Sequence, residues 1–590
     1  MEKIIELISD EMKNAFEQAG YERELGKVTL SNRPDLCEYQ CNGAMAGAKQ
    51  YKKAPIMIAN DVAAKLSDSS IFAKAEAVAP GFLNLTLKNE FVGAYVKKMR
   101  AEEKYGLEET TKPAKIVIDY GGPNVAKPLH VGHLRSAIIG ESVKRIARYM
   151  GHNVIGDIHL GDWGQPMGLI MNELKIRKPD LVYFDDNYTG EYPAEPPFTI
   201  SELEDIYPFA SKRSKEDEAY KADAMACTYK LQSGVKGYRA LWNHIIAVSV
   251  TDLKRNYERL NVAFDLWNGE SAVHDLIPGM VDDMKKGGYA YVSEGALVVD
   301  VKEEADTKEI PPCMILKSDG AALYNTTDLA TIMMRMETEK PDRIIYVVDK
   351  RQELYFDQVF RCARKTKLVK DDTELKFLGF GTMNGKDGKP FKTREGGVMR
   401  LESLIAEINE EMFRKIKESR DTSDDEAAAT AQVVGLAALK YGDLSNQAVK
   451  DYIFDIDRFT SSEGDTGPYI LYTIVRIKSI LAKYRESGKD VQAVFSDIKA
   501  PVNDSEKQLM MQLARYNASI EAACEEYAPH KICAYIYDLA NAFNHFYHET
   551  KILTEEDASR KAGWIALLAL TRDVLETSID LLGFSAPDRM

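Results

Sequence analysis

His130 and His133 stand three residues apart in Pro123-Asn-Val-Ala-Lys-Pro-Leu-His130-Val-Gly-His133-Leu-Arg135, at the start of an amphipathic run. Imidazoles at that spacing project from one side of a helix's first turn. They can donate hydrogen bonds to charge developing on phosphate oxygens. Just upstream, Gly121, Gly122 and Pro123 make a turn between strand and helix, where backbone N–H groups and a helix dipole can hold phosphate. The arrangement suits a nucleoside triphosphate whose α-phosphate is under attack. A solitary His-x-Gly-His also has a bland reading as a capping feature, and only its context decides.

Further along are carboxylates that could recognise a flat cation. A guanidinium is planar, permanently charged and carries five N–H donors, so fixed carboxylates suit it best. Tyr324 and Asp328 lie one helical turn apart, Glu270 follows Phe264-Asp-Leu-Trp-Asn-Gly, and Gln352 follows the apolar run 343–349. Taken singly each is unremarkable, since an Asp in a first turn usually caps a helix and a Gly-Glu-Ser step is usually a turn.

The positioning elements can be read from periodicity. Lys115–Asp119 is strand-like; Ile138, Ile139, Val143, Ile146 and Met150 share one helical face; Val154-Ile155 begins a second strand. Strand, helix and strand in succession predict a doubly wound parallel sheet with ligands beyond the strand ends. The sheet is expected to resume at Arg343–Asp349 and Lys376–Phe380. Polar residues 175–235 and a short strand group within 285–320, with a further strand stretch from Met314 to Tyr324, read as insertions. The expected fold class is therefore α/β: a Rossmann-like catalytic domain over 109–400, an N-terminal α/β domain over 1–108 and an all-α bundle over 401–590.

The 590 residues carry a net charge of −15, with 45% hydrophobic and 29% charged residues, which suits an ordinary globular chain of several domains. No stretch approaches the roughly 20 apolar residues of a membrane span. The first residues read as an amphipathic helix rather than a secretion signal, and seven cysteines lack paired Cys-x-x-Cys spacing. Reduced thiols, a cytoplasmic location and no structural metal are expected. Net charge excludes no nucleic acid, because phosphate contacts depend on local clusters such as Lys350-Arg351 with Arg361, Arg364, Lys365 and Lys367, or Arg476 with Lys478, Lys483 and Arg485.

Over about twenty residues the histidine segment resembles the adenylate-forming signature of class I aminoacyl-tRNA synthetases. Its longer form, Pro123-Asn124-x-Ala-Lys127-Pro-x-His130-x-Gly-His133-Leu-Arg135-Ser136, resembles the arginyl-tRNA synthetase family, and the likeness continues along the whole chain. It implies ATP-dependent activation of L-arginine to arginyl-adenylate, transfer to the 3′-terminal ribose of tRNA(Arg), and prior binding of tRNA. By the same resemblance Asn124, Glu270, Tyr324, Asp328 and Gln352 line the arginine site, with Glu270 and Asp328 on the guanidinium. Gly132, His133, His159, Gly161 and Thr393 would hold ATP, brought as its Mg²⁺ complex. Catalysis would fall to His130, His133, Lys127, Lys392 and Arg394.

The last two residues stand in Lys389-Pro-Phe-Lys-Thr-Arg-Glu-Gly-Gly397, which departs from the family's usual Lys-Met-Ser-Lys-Ser. Arg394 and Lys127 could make up the missing positive charge. Phe82 and Asn84 match positions that contact a tRNA elbow base, and Tyr469 and Tyr472 fall in the region matching the anticodon-binding domain. A monomer is expected. The alternatives are a class I synthetase for another amino acid and a synthetase-derived tRNA-binding protein without catalysis. Zinc ligands for cysteine are lacking, a glutamate pocket would be cationic, and His130, His133 and Asp328 are all present.

Overall fold

The computed structural model describes residues 1–389 and 399–590. They form two compact units, one of residues 110–460 with 581–584, the other of residues 1–109 with 461–580 and 585–590.

The first of these units is built on a five-stranded parallel sheet in the order Glu374–Phe380, Arg343–Asp349, Lys115–Asp119, Asn153–Leu160, Leu266–Gly269. Its central strand, Ile116-Val-Ile118, is buried, as a parallel strand covered on both faces demands. Helix Val131–Tyr149 makes the first crossover, and Ile138, Ile139, Val143 and Ile146 are buried on it. The helix lies so close to the sheet that a Cβ at Gly140 would stand 2.3 Å from the Tyr120 ring. Arg135, which reads as part of the histidine motif, is a buried staple in this structure. It donates to Asp443 (3.0 Å) and to the carbonyls of Gly381 (2.8 Å) and Lys450 (3.0 Å).

One insertion comprises helices Ile200–Glu216 and Glu218–Gln232, both packed on Gln165–Arg177. The other is a three-stranded antiparallel sheet of Ala290–Ser293, Ala296–Val299 and Cys313–Leu316. A strand reaching from Met314 to Tyr324 is not formed. Gly320, at φ +82°, turns the chain after Leu316, and Tyr324 opens helix Tyr324–Thr338. Thr326 sets that start by accepting the Leu323 N–H at 3.0 Å.

The second unit joins a four-stranded antiparallel sheet (Val28–Leu30, Tyr39–Cys41, Phe82–Leu87, Phe72–Val78) to helices including Gly467–Glu486, Pro529–Glu549 and Ala558–Leu581. Ion pairs hold its two halves, Arg100 to Asp573 at 2.6 Å and Lys507 to Glu38 at 2.6 Å. At Gly93 a Cβ would come within 2.7 Å of the Ala500 backbone, so the approach needs glycine. Among the described residues no helix is long and apolar enough to cross a membrane.

Candidate active site

Asn124, Glu270 and Gln352 follow the C-terminal ends of parallel strands and His159 is the penultimate residue of another, where the crevice of a doubly wound sheet opens. Backbone pairing stitches the strand ends together. Gly161 donates to the Pro123 carbonyl at 3.1 Å, Val125 donates to the Gly161 carbonyl at 3.1 Å, and Leu160 pairs with Gly269. Asn124 and Glu270 are thereby carried on adjoining segments. A Cβ at Gly161 would meet the Asn124 amide oxygen at 2.0 Å, and one at Gly122 would meet the His159 carbonyl at 2.4 Å.

The two histidines cap their own helix. His130 Nδ1 accepts the Gly132 N–H at 3.0 Å, and His133 Nδ1 accepts the His130 N–H at 3.2 Å. With both Nδ1 atoms accepting, each neutral ring carries its proton on Nε2 and presents a donor there. Burial keeps them neutral. It presses His133 down to about 3, helped by His130 and Lys127, and lowers His130 in the same sense. The ring centroids are 3.9 Å apart. Ala126, at φ +58°, presents the following Lys127, whose ammonium sits 4.3 Å over the Tyr207 ring.

Lys392, Thr393 and Arg394 lie outside the described residues. The chain on their C-terminal side returns to the histidines: Val131 donates to the Met399 carbonyl (3.1 Å), Leu401 donates to the Leu129 carbonyl (2.9 Å), and His130 bridges Arg400.

The acidic group is assembled from three elements. Glu270 opens the turn Glu270–Leu276, against which helix Tyr324–Thr338 packs with Asp328 in its second turn. Asp162 is buried and accepts the Ser271 N–H (2.9 Å) and hydroxyl (2.5 Å). Burial, with the charges of Asp162 and Asp328, pushes Glu270 up to about 8. Burial pushes Asp328 up to about 7, against the hydrogen bond donated by Tyr355. Among the described residues no lysine or arginine forms an ion pair with Glu270 or Asp328. Tyr324 stands at the rim, 72% exposed, with its hydroxyl raised by burial and by Glu270 and Tyr207. Gln352 is exposed, three residues before Tyr355.

His159 also lies at this end of the sheet, both ring nitrogens buried without a hydrogen-bond partner and its pKa lowered to about 4 by burial. Trp163 is core, packed against Trp242 and His274. Tyr355 escapes sequence reading; its signal would have been the one-turn spacing from Gln352. Among the described residues no group of three or more His, Cys, Asp or Glu has the arrangement of a metal site.

In the other unit, Phe82 and Asn84 share the outer face of their strand while Leu83, Leu85 and Leu87 fill the core. Asn84 accepts from Gln40 at 2.9 Å. Tyr469 donates to Asn541 at 2.6 Å, and the 42% exposed Tyr472 lies under the Arg476 guanidinium, 4.8 Å from its centroid.

A parallel sheet whose first crossover helix begins with paired imidazoles, facing an acidic cleft across the strand ends, is the catalytic unit of a class I aminoacyl-tRNA synthetase. Three family descriptions match in succession: "Arginyl tRNA synthetase N terminal domain" over residues 2–87, "tRNA synthetases class I (R), catalytic domain" over 96–456, and "DALR anticodon binding domain" over 470–590. The chain belongs to the arginyl-tRNA synthetase family. It is 65% identical over 597 residues to arginine–tRNA ligase of Agathobacter rectalis and 57% identical over 590 residues to that of Alkaliphilus oremlandii, with 100% of both chains covered each time. The fold is that of the solved arginyl-tRNA synthetase from Plasmodium falciparum, at TM-score 0.79 and 24% identity with 100% of both chains covered. Its activity is accordingly arginine–tRNA ligation, with ATP, arginine and tRNA(Arg) as substrates.

Proposed function

We propose that Glu270 and Asp328 receive the guanidinium of arginine, with Tyr324 closing the rim and Asn124 and Gln352 towards the amine and carboxylate. The observation that carries this reading is a pair of partly buried carboxyls that no lysine or arginine among the described residues pairs with directly, raised to about 8 and about 7. A guanidinium supplies the missing charge and donors in one planar group. Lysine offers a point charge only, and citrulline's neutral urea leaves a carboxylate uncompensated; losses of roughly 10⁴–10⁵-fold attend such unpaired groups.

In the reaction, an oxygen of the arginine carboxylate bonds to the α-phosphorus of ATP and the bond to the β-phosphate oxygen breaks, giving arginyl-adenylate and pyrophosphate. A terminal ribose hydroxyl of tRNA then takes the arginyl group, its proton is lost and AMP departs. The Nε2–H groups of His130 and His133 donate to the α-phosphate oxygens as negative charge grows on them. Neutral rings suit this task because they need no proton to be taken up first. Gly132, His159, Gly161 and Thr393 contact the nucleotide. Lys127, Lys392 and Arg394 offset the charge of the leaving pyrophosphate. Mg²⁺ arrives on the phosphate chain and neutralises part of its charge. The imidazole Nε2–H and backbone N–H groups at this end of the helix suit phosphate oxygens rather than a cation, so Mg²⁺ would be held by the nucleotide's own phosphates. Catalysis is then mostly positioning and charge stabilisation.

Residues 1–108 would hold the tRNA elbow through Phe82 and Asn84, an aromatic face for stacking beside an amide for a base edge. Tyr469 and Tyr472 would meet the anticodon from the helical domain over 401–590, Tyr472 with a guanidinium already stacked on it. We place the enzyme in the cytoplasm as a monomer; all seven cysteines are free thiols, six of them buried.

Pyrophosphate exchange with each amino acid in turn, with and without tRNA, tests the reading. Exchange confined to arginine and dependent on tRNA is expected, and comparable exchange with another amino acid would sink it. Lys127→Ala should slow adenylate formation, and a rate within about twofold of the parent would make the lysine structural.

A further inference from the structure

Asp119, Asp157 and Tyr346 occupy three adjacent parallel strands in register, Asp119 opposite both Asp157 and Tyr346. One side chain gathers all three. Arg335 donates from Nε to Asp157 (3.0 Å), from one terminal nitrogen to Asp119 (2.6 Å) and from the other to the Tyr346 hydroxyl (3.1 Å). Its side chain is 1% exposed. Removing such a cation from water is costly unless every donor finds an acceptor in good geometry, and here each nitrogen does. Only a planar fork can serve three strands at once.

Arg335 belongs to helix Tyr324–Thr338 and lies seven residues, two turns, beyond Asp328, on the same helical face. Its partner Asp157 accepts at its second oxygen from Asn268 (3.3 Å), two residues before Glu270. The same guanidinium therefore holds the helix that presents Asp328 and, through Asp157 and Asn268, the strand that delivers Glu270. We infer that Arg335 is a positioning residue for arginine recognition, setting the separation and orientation of the two carboxylates that grip the substrate's own guanidinium. The inference rests on the proposed roles of Asp328 and Glu270.

A staple that only holds the fold would cost stability and little else. A residue that spaces the clamp acts on arginine more than on ATP, because it ties the helix of Asp328 and the strand before Glu270 while the paired imidazoles stand on helix Val131–Tyr149, and a misplacement of about 1 Å can cost about 10²-fold. Its charge matters too. Asp328 faces Tyr355 from helix Glu353–Lys365, Glu270 from its turn, Asp119 and Tyr346 from the sheet, Cys313 from strand Cys313–Leu316 and Arg335 on its own helix. Arg335 is the cation in that set, and it favours the ionised form of Asp328.

The test is pyrophosphate exchange by the full chain with tRNA, comparing Arg335→Lys, Arg335→Met and Asp328→Asn. Arg335→Lys keeps the charge without the fork, and should raise KM for arginine by about 10- to 100-fold while KM for ATP stays within about twofold. Arg335→Met should in addition move the acid limb of kcat/KM for arginine to higher pH, since Asp328 then ionises with less help. Parallel rises in both KM values would overturn the inference, as would a fallen melting temperature with both KM values intact. If both variants fail to fold, Asp119→Asn loosens the clamp from the strand side and the same split is required of it. Should Asp328→Asn leave KM for arginine unchanged, the site reading itself falls, whatever Arg335 does.

Discussion

Glu141 and Glu270 are both partly or wholly buried glutamates of the catalytic unit, and their surroundings differ. Glu141 has Lys144 at 2.8 Å, Arg145 at 2.8 Å and the Tyr120 hydroxyl at 2.9 Å. Burial alone would raise its pKa, but the two cations outweigh it and the group ends below its ordinary value. Glu270 has burial and two carboxylates around it, and rises to about 8. The same division separates Asp443, held by Arg135, from Asp328, held by a phenol. A buried acid with its cation supplied from within the chain maintains structure. One left without it stores an electrostatic demand that a ligand can meet. The difference lies in the chemistry of the neighbours together with burial: Glu141 and Asp443 are fully buried, whereas Glu270 and Asp328 are half-buried and open to a ligand.

The largest effect should come from breaking a supplied pair. Arg135→Met leaves Asp443 wholly buried beside the Tyr452 hydroxyl with its cation gone, and should cost about 3–5 kcal/mol of stability. A thermal melt reads this directly, and an unchanged midpoint would mean that Asp443 is not the structural anion proposed here. Asp328→Asn makes the opposite case. It should weaken arginine binding by about 1.5–3 kcal/mol, a factor of about 10 to 100, through loss of a charge-assisted contact. The ligand-free enzyme should melt no lower than the parent, because a group that resists ionisation has been replaced by a neutral one. A destabilised Asp328→Asn would place the residue in the same class as Asp443.

This contrast marks the limit of what the sequence discloses. The run from Lys115 to Met150 is legible because a strand, a glycine turn and an apolar helical face occupy consecutive residues, and all three form as periodicity predicts. The histidines are legible for the same reason. Tyr355 is not, because 27 residues separate it from Asp328 and its place depends on a strand running between their helices. Arg335 reads in sequence as one more charged position on a helix. The basic run at 350–367 reads equally as a candidate phosphate-contact cluster and as a solvated helix face, and in the structure Lys350 pairs with Asp451, Arg351 with Asp349 and Arg361 with Asp306 and Asp357. The partners 451 and 306 are distant in the chain. Local pattern carries elements, whereas compensation of charge is a property of tertiary contacts.

The two glutamates should also part company with pH. Between the ordinary glutamate value near 4.5 and about 8, the native state holds a proton on Glu270 that the unfolded chain has released. Stability from this group is therefore present below that window and is lost as pH rises through it. Glu141, with its lowered value, contributes in the other direction: its stabilisation is present at neutral pH and is lost in acid. Arginine must displace the Glu270 proton, so each pH unit below about 8 should cost about tenfold in affinity from this group. Melting temperatures at pH 6 and pH 8.5, with and without arginine, check the sign. The increment given by arginine should be larger at pH 8.5, and an increment that shrinks with rising pH would reverse the assignment.

The smallest change sharpens the comparison most, because it touches the stronger of the two groups, Tyr355 and Arg335, that keep Asp328 from behaving as Glu270 does. The Tyr355 hydroxyl donates to Asp328 and favours its ionised form against burial, which leaves Asp328 at about 7. Tyr355→Phe removes the donor and keeps the ring, whose edge-on contact with Phe356 at 5.1 Å preserves the packing. Arginine affinity should fall by about 0.5–1.5 kcal/mol, roughly two- to tenfold, and the acid limb of its pH profile should move upward as Asp328 becomes harder to ionise. KM for ATP should not follow, since the phenol reaches nothing at the histidine end of the crevice. If arginine affinity and the limb both stay in place, the phenol is a packing residue, and the carboxylate owes its availability to Arg335 alone.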